Sequence, residues 1–178
     1  IPIYGGIALR EISAFGLYIN FGLLSIPVTI LFIVSIINCM NLIDGLDGLS
    51  GGICSIFYIT TAIIGFCQGR FGSLVMILTL IMLGSTLGFL LHNFHPAKIF
   101  AGDGTTFEGF IIAVITLLEF KGPALISFFV PVLILGIPIL DTLFAIIRRL
   151  LKGQPPFQAD KQHLHHQLLG MNFSQTVT

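Results

Sequence analysis

The sequence predicts an all-α fold: a polytopic, integral membrane helical bundle with about five transmembrane helices, forming a single membrane domain over residues 1–178. Three observations predict it. Hydrophobic residues make up 55% of the chain and charged residues 9%, with a mean hydropathy of +1.02, whereas soluble domains carry roughly 25% charged residues. The apolar residues gather into stretches of about 20, the length of helix that crosses about 30 Å of hydrocarbon. Most ionic residues lie between those stretches, and the eight basic and eight acidic side chains cancel. No basic stripe is left to follow a nucleic-acid backbone, which excludes nucleic acid as a partner.

The first twenty residues, with Gly5-Gly6, Arg10 and Glu11, read as a loop or short hairpin at the surface. The first span then covers roughly Phe21 to Met40, the second Leu49 to Cys67 and the third Phe71 to Leu91, none of them holding a charge. A fourth, roughly Thr105 to Leu118, is short and carries Glu108. The fifth, roughly Pro123 to Ile147, holds Pro131, Pro138 and Asp141 and is expected to kink or tilt. An acid at the depth of Asp141 is costly unless paired, so a polar or arginine neighbour is expected beside it. Cys39, Cys54 and Cys67 lack metal-ligand spacing and read as small core residues. The chain begins at Ile1 without a signal peptide, and a longer parent protein is expected.

If the helices alternate in direction, the stretches Asn41 to Gly48, His92 to Gly104 and Arg148 onward share one membrane face. That face holds Lys98, Arg148, Arg149, Lys152 and Lys161 against Arg10, Arg70 and Lys121 on the other. The positive-inside rule makes the first face cytoplasmic.

Each stretch carries chemistry. Asn38, Asn41, Asp44 and Asp47 are spaced by three, so neighbours adjoin on a helix, and Gly45 and Gly48 are expected to end that helix in a tight polar turn. Gathered carboxylates suit a hard cation such as Mg²⁺ shared with substrate phosphates, with Mn²⁺ as a substitute. Helix capping by Asp and Asn is the alternative, and it accounts for one acid better than for two. The run from His92 to Thr106 combines Lys98, Phe100, Asp103, flexible glycines and two threonines. Its glycines would let backbone N–H groups approach an anion, Thr105 and Thr106 could cap the fourth helix, and Phe100 could stack on a base. An ordinary loop with an N-cap is the alternative. In His163-Leu164-His165-His166, no cysteine stands nearby; hydrogen bonding to phosphate suits these histidines better than Zn²⁺, and a solvated amphipathic helix is the plainer reading. His92 and His95 read as interfacial residues.

Asn-Leu-Ile-Asp-Gly-Leu-Asp-Gly-Leu-Ser-Gly-Gly (Asn41 to Gly52), Asn-Phe-His-Pro-Ala-Lys-Ile-Phe-Ala-Gly-Asp (Asn93 to Asp103), Asp-Thr-Leu-Phe-Ala-Ile-Ile-Arg-Arg (Asp141 to Arg149) and the later His-Leu-His-His occur in that order. Together they resemble the polyprenyl-phosphate N-acetylhexosamine-1-phosphate transferases of glycosyltransferase family 4, from about Phe21 to Leu169. The likeness is to the bacterial undecaprenyl-phosphate GlcNAc-1-phosphate transferase branch, which primes O-antigen (lipopolysaccharide) and teichoic acid synthesis. It implies a multi-pass enzyme of the bacterial inner membrane. On the cytoplasmic face, such an enzyme transfers a sugar-1-phosphate from a UDP-sugar, usually UDP-GlcNAc, to undecaprenyl phosphate and releases UMP. By position, the resemblance makes Asp103 a Mg²⁺ ligand with Asp44 beside it, and Asp44, Asp47 and His163 catalytic. Asn41 and Asn93 would fix the nucleoside, Phe100 would stack on uracil, and Lys98, His165 and His166 would hold the diphosphate or sugar. A homodimer is a further expectation.

The chain departs from the family in two places. It contains no Asp-Asp pair, which the family carries upstream of the Asn-Leu-Ile-Asp motif, so it reads as the later part of a protein of about ten helices, cut before the last. Gly102-Asp103-Gly104-Thr105-Thr106-Phe107-Glu108 also differs from the family's Gly-Asp-x-Gly-Ser/Thr. Two rivals follow. A CDP-alcohol phosphotransferase needs an Ala-Arg after its first Asp-Gly, which Asp44-Gly45 lacks. A catalytically inactive fragment or an ion-coupled transporter would use Glu108 and Asp141 as a cation path.

Overall fold

A computed structural model describes residues 7–9, 11–14 and 17–119. The chain opens in a hairpin, β1 (Glu11–Ala14) antiparallel to β2 (Leu17–Asn20), with Glu11 opposite Asn20 and Ala14 opposite Leu17. This is the one piece of sheet among the described residues, and it stands where a loop or hairpin was expected. A single 3₁₀ turn, Gly22–Leu24, leads into α1 (Ser25–Ile43), followed by α2 (Leu49–Cys67), α3 (Leu74–Asn93) and α4 (Gly104–Glu119).

Among the described residues, Gly22–Ile43, Leu49–Cys67 and Leu74–Asn93 are long and apolar enough to cross a membrane. Nineteen residues of helix, as in α2, reach about 28 Å, a close match to the hydrocarbon thickness. The fold is thus a helical membrane bundle, as the composition predicts. The second span matches its expected bounds at both ends, while the first and third differ from expectation by one to three residues, for local reasons. The third begins at Leu74 because Gly72 turns the chain at φ 101° and Ser73 caps the helix, its Oγ accepting the Met76 N–H at 3.1 Å. The fourth helix matches its expected range to within a residue at either end. The fifth span, with Asp141, and the histidine segment lie outside the described residues.

α1 packs chiefly on α4, and α2 on α3. The first seam is close because Gly109 has no side chain: a Cβ there would lie 2.9 Å from Ile37 Cα and 3.1 Å from Met40 Cβ. The shared core holds Ile36, Cys39 and Met40 of α1, Cys54, Phe57 and Tyr58 of α2, and Ile112, Ala113 and Ile115 of α4. Cys39 and Cys54 are thus buried as expected, whereas Cys67 is exposed. Outward-facing Leu31, Ile63 and Ile81 stay more than half exposed, which is the pattern of a surface that lipid covers.

Because α1 and α3 run one way and α2 and α4 return, the loop after Ile43 and the loop after Asn93 emerge at the same end. At the opposite end, Arg70 Nη1 and Glu119 Oε2 meet at 2.6 Å, joining the α2–α3 turn to the last residue of α4.

Candidate active site

α1 stops where the Gly45 N–H turns back to the Ile43 carbonyl at 2.7 Å, with Asp44 at φ −71° and ψ 46°, close to an inverse γ-turn. Gly48 follows at φ 78°, a left-handed conformation that glycine adopts without steric cost, and α2 begins at the next residue. A Cβ on Gly48 would also come within 3.4 Å of the Phe94 ring, so the two polar loops are in contact there.

The four polar residues of the stripe fan out toward five different neighbours. Asn38 Nδ2 returns to its own helix, donating to the Val34 carbonyl at 2.9 Å. Asn41 Nδ2 reaches Thr106 Oγ1 on α4 at 3.4 Å. Asp44 Oδ1 accepts from the Ser50 hydroxyl at 2.6 Å. Asp47 Oδ2 accepts twice, from His95 Nδ1 at 2.8 Å and from the Ala97 N–H at 3.1 Å. The imidazole and the amide hold the Asp47 carboxyl below the usual carboxylate range, and partial burial opposes them less strongly.

Asn93 ties the two loops together from a buried position. Its Oδ1 accepts the Gly48 N–H at 2.9 Å and its Nδ2 donates to the Ile99 carbonyl at 2.8 Å. With both ends of the amide held by backbone and the residue 2% exposed, Asn93 sets the loops' spacing instead of presenting its amide to solvent.

The second loop feeds α4. Gly102 turns at φ 52°, and the Asp103 carbonyl accepts the Thr106 N–H at 3.1 Å and the Phe107 N–H at 3.3 Å. The expected caps therefore differ: backbone carbonyls receive the first N–H groups, the Thr105 hydroxyl donates to the Gly102 carbonyl, and the Thr106 hydroxyl receives Asn41. The Asp103 carboxylate and the Lys98 ammonium are exposed and have no side-chain partner among the described residues. Phe100 is 76% exposed and stands at the rim of a cavity of about 310 Å³ between α2, α3 and α4. One turn into α4, Glu108 accepts the Tyr58 hydroxyl on Oε2 and the Thr86 hydroxyl on Oε1, each at 2.7 Å.

The structure thus brings Asn41, Asp44, Asp47, Asn93, Lys98, Phe100 and Asp103 to one end of the bundle; His163, His165 and His166 lie outside the described residues. No group of three or more His, Cys, Asp or Glu side chains gathers there among the described residues. The carboxylate oxygens without a hydrogen-bond partner among the described residues are Oδ2 of Asp44, Oδ1 of Asp47 and both of Asp103. Oxygen donors of this kind suit Mg²⁺, which keeps its remaining positions for water and substrate phosphates. Sequence reasoning missed Ser50, His95, Tyr58 and Thr86 as partners of the acids. Only His95 offered a signal, being a histidine in the polar loop beside Pro96.

A family model for Glycosyl transferase family 4 matches residues 1–119. The chain is 46% identical, over 88% of its length and 44% of the relative's, to the "Probable undecaprenyl-phosphate N-acetylglucosaminyl 1-phosphate transferase" of Bacillus subtilis strain 168. It is 40% identical to the "Decaprenyl-phosphate N-acetylglucosaminephosphotransferase" of Mycobacterium leprae over 55% of this chain and 28% of that one. With the "Undecaprenyl-phosphate alpha-N-acetylglucosaminyl 1-phosphate transferase" of Salmonella typhi, identity is 33% over 70% of this chain and 35% of the relative. The chain spans less than half the length of these curated relatives. The matched stretch contains α1 to α4 and both loops that carry the acids, and the chain belongs to glycosyl transferase family 4.

Proposed function

We propose that this chain carries the catalytic face of a Mg²⁺-dependent transferase of the bacterial inner membrane. Its reaction moves a sugar-1-phosphate, GlcNAc-1-phosphate by analogy with the names of its relatives, from a UDP-sugar to undecaprenyl phosphate on the cytoplasmic side. An oxygen of the lipid phosphate attacks the β-phosphorus, the bond from that phosphorus to the bridging oxygen breaks, and UMP leaves with the bridging oxygen. The product is a lipid pyrophosphoryl sugar that primes a cell-envelope polysaccharide.

One observation carries the reading: the two motif-bearing loops emerge at the same end of the bundle, tied by Asn93 and by Asp47 to His95 and Ala97. Asp44 and Asp103 would hold Mg²⁺, whose chemistry is to neutralise the diphosphate charge that grows in the transition state. Ser50 orients the Asp44 carboxylate by its 2.6 Å bond. Asp47 acts on the loops, through His95 and Ala97, so its role is positioning. Lys98 supplies a mobile positive charge for phosphate, and Phe100, exposed at the cavity rim, offers a face for uracil. His163, His165 and His166 are assigned to the diphosphate and sugar by motif alone. For the ion-coupled reading, Glu108 is already held by two hydroxyls, and no observation among the described residues favours a cation path.

The test is Mg²⁺-dependent transfer of labelled GlcNAc-phosphate from UDP-GlcNAc to undecaprenyl phosphate by membranes containing this chain. The full-length Bacillus subtilis relative serves as positive control and Asp103→Asn as negative. Mg²⁺-dependent product that vanishes in Asp103→Asn supports the reading. It fails for this chain if the relative transfers while the chain neither transfers nor binds UDP-GlcNAc.

A further inference from the structure

The cavity behind Phe100 has a feature that the acids at its mouth leave unexplained. Glu108 lines it, yet the carboxylate is fixed from behind by two hydroxyls on two other helices, Tyr58 on α2 and Thr86 on α3, one per oxygen. A carboxylate has about four lone-pair sites; the Cys54 thiol on α2 also bonds Glu108, so with the two hydroxyls three sites are taken and one acceptor site stays free. Glu108 is only partly buried, and it faces a cavity whose apolar walls include Phe89, Phe107 and Met82. A residue that merely pinned three helices would be enclosed by them.

Resting on the transferase reading above, we propose that Glu108 determines sugar specificity: its remaining acceptor site takes an O–H or N–H hydrogen from the hexosamine ring of the nucleotide sugar. Other occupants fit less well. A polyprenyl tail would have to lie against a carboxylate, which is costly in an apolar setting. A divalent cation would find one carboxylate that already accepts two hydroxyls and a thiol, and no group of three or more His, Cys, Asp or Glu side chains gathers around it among the described residues. A ring bearing donors on its edge and C–H groups on its faces matches both the acid and the aromatic walls. At about 310 Å³ the cavity is at the small end of ligand pockets, sized for one sugar ring and not for a whole nucleotide sugar. It is also continuous with the acids, since Ser50, the partner of Asp44, and Gly104, next to Asp103, line it.

The experiment measures binding of UDP and UDP-GlcNAc, with Mg²⁺, to this chain in lipid nanodiscs. The wild type is expected to prefer UDP-GlcNAc by about tenfold, the effect of one hydrogen bond to a charged acceptor. Glu108→Gln keeps the shape and one acceptor oxygen; it should bind UDP as before and lose most of the preference. A second measurement leaves Glu108 intact: with Cys67→Ser, a Ser85→Cys reporter on the cavity wall should react with a maleimide, and UDP-GlcNAc but not UDP should slow it. If UDP binds but Glu108→Gln keeps the full preference, or the reporter is unreactive or slowed equally by both ligands, the sugar assignment is overturned while the transferase reading stands. If the wild type binds neither ligand, the nucleotide-sugar reading itself falls, and this inference with it.

Discussion

At the end of the bundle where α2 turns into α3, Arg70 and Glu119 meet at 2.6 Å, with the Glu119 side chain 8% exposed and that of Arg70 34%. Among the described side chains at that end, these two charges answer each other. At the other end Asp44, Asp47, Asp103 and Glu108 face one lysine, Lys98, and two histidines, of which His95 is already engaged by Asp47. Among the described residues, one end is a neutralised staple and the other has an excess of carboxylate beside an apolar bundle. Ionic groups so close to hydrocarbon are expensive unless something answers them, and at the second end the described residues answer only some of them. That difference is the ground for proposing a cation and donor-bearing ligands at the second end.

Removing one unanswered acid is the sharpest way to break this contrast. Asp103→Asn is expected to lower Mg²⁺-dependent transfer by at least about 100-fold, roughly 3 kcal/mol of transition-state stabilisation. Its thermal stability should stay within about 1 kcal/mol of wild type, because the exposed carboxylate holds no described partner. A variant that loses stability but keeps transfer would make Asp103 a structural residue and erase the distinction between the ends.

At the staple the signature should be reversed. Glu119→Gln leaves the half-buried Arg70 guanidinium without its counter-charge and is expected to cost about 2 kcal/mol, less than a fully buried pair because water screens Arg70. UDP-sugar binding should not change. Denaturant titration of the detergent-solubilised chain, run beside nucleotide binding, checks both halves. A stability loss of similar size accompanied by a loss of binding would mean that the two ends are coupled through α4.

Much of this organisation was legible in the sequence. Apolar runs of the length of α1, α2 and α3 report the spans directly, since hydrocarbon thickness sets their length, and alternation then puts Asp44 and Asp103 on one face. The partners of the acids were not legible. Asp47 and His95 are 48 residues apart and Tyr58 and Glu108 are 50 apart, and such pairings depend on how two loops and three helices pack, which no local pattern encodes. The end of the stripe Asn38-Asn41-Asp44-Asp47 was legible, since Gly45 and Gly48 predict the turn that closes α1; that this turn sends the last two acids to different partners was not. Thr105 and Thr106 look like caps because their hydroxyls are available, but carbonyls of the preceding loop already receive the first N–H groups of α4.

Asn93 belongs to neither the staple nor the unanswered acids, and it tests whether the polar end is preorganised. Asn93→Ala removes both ties and leaves the buried Gly48 N–H without an acceptor, with an expected loss of about 1–2 kcal/mol. Hydrogen exchange should rise at Gly48 and along the Phe94–Asp103 loop while the Arg70 end stays protected. Uniform loosening of all four helices would show that Asn93 supports the whole bundle.

The smallest effect concerns acid. His95 and Ala97 depress the Asp47 carboxyl below its ordinary value of 3.8, so the ionised form is favoured by folding. A depressed carboxylate contributes stability above its unfolded pKa and loses that contribution as pH falls through the lower, folded value. The tie to the second loop should therefore persist at neutral pH and weaken only below about pH 4. Protonation of Asp47 weakens its oxygen as an acceptor. Protection of the Ala97 amide, corrected for the intrinsic exchange rate, is expected to fall in that acid window in the wild type. In Asp47→Asn, whose side chain still offers an acceptor oxygen but cannot titrate, the profile should be flat. A flat wild-type profile would mean that the loop is held by Asn93 alone, and the polar end would then owe its geometry to a neutral tie, leaving the charge of Asp47 as unanswered as that of Asp103.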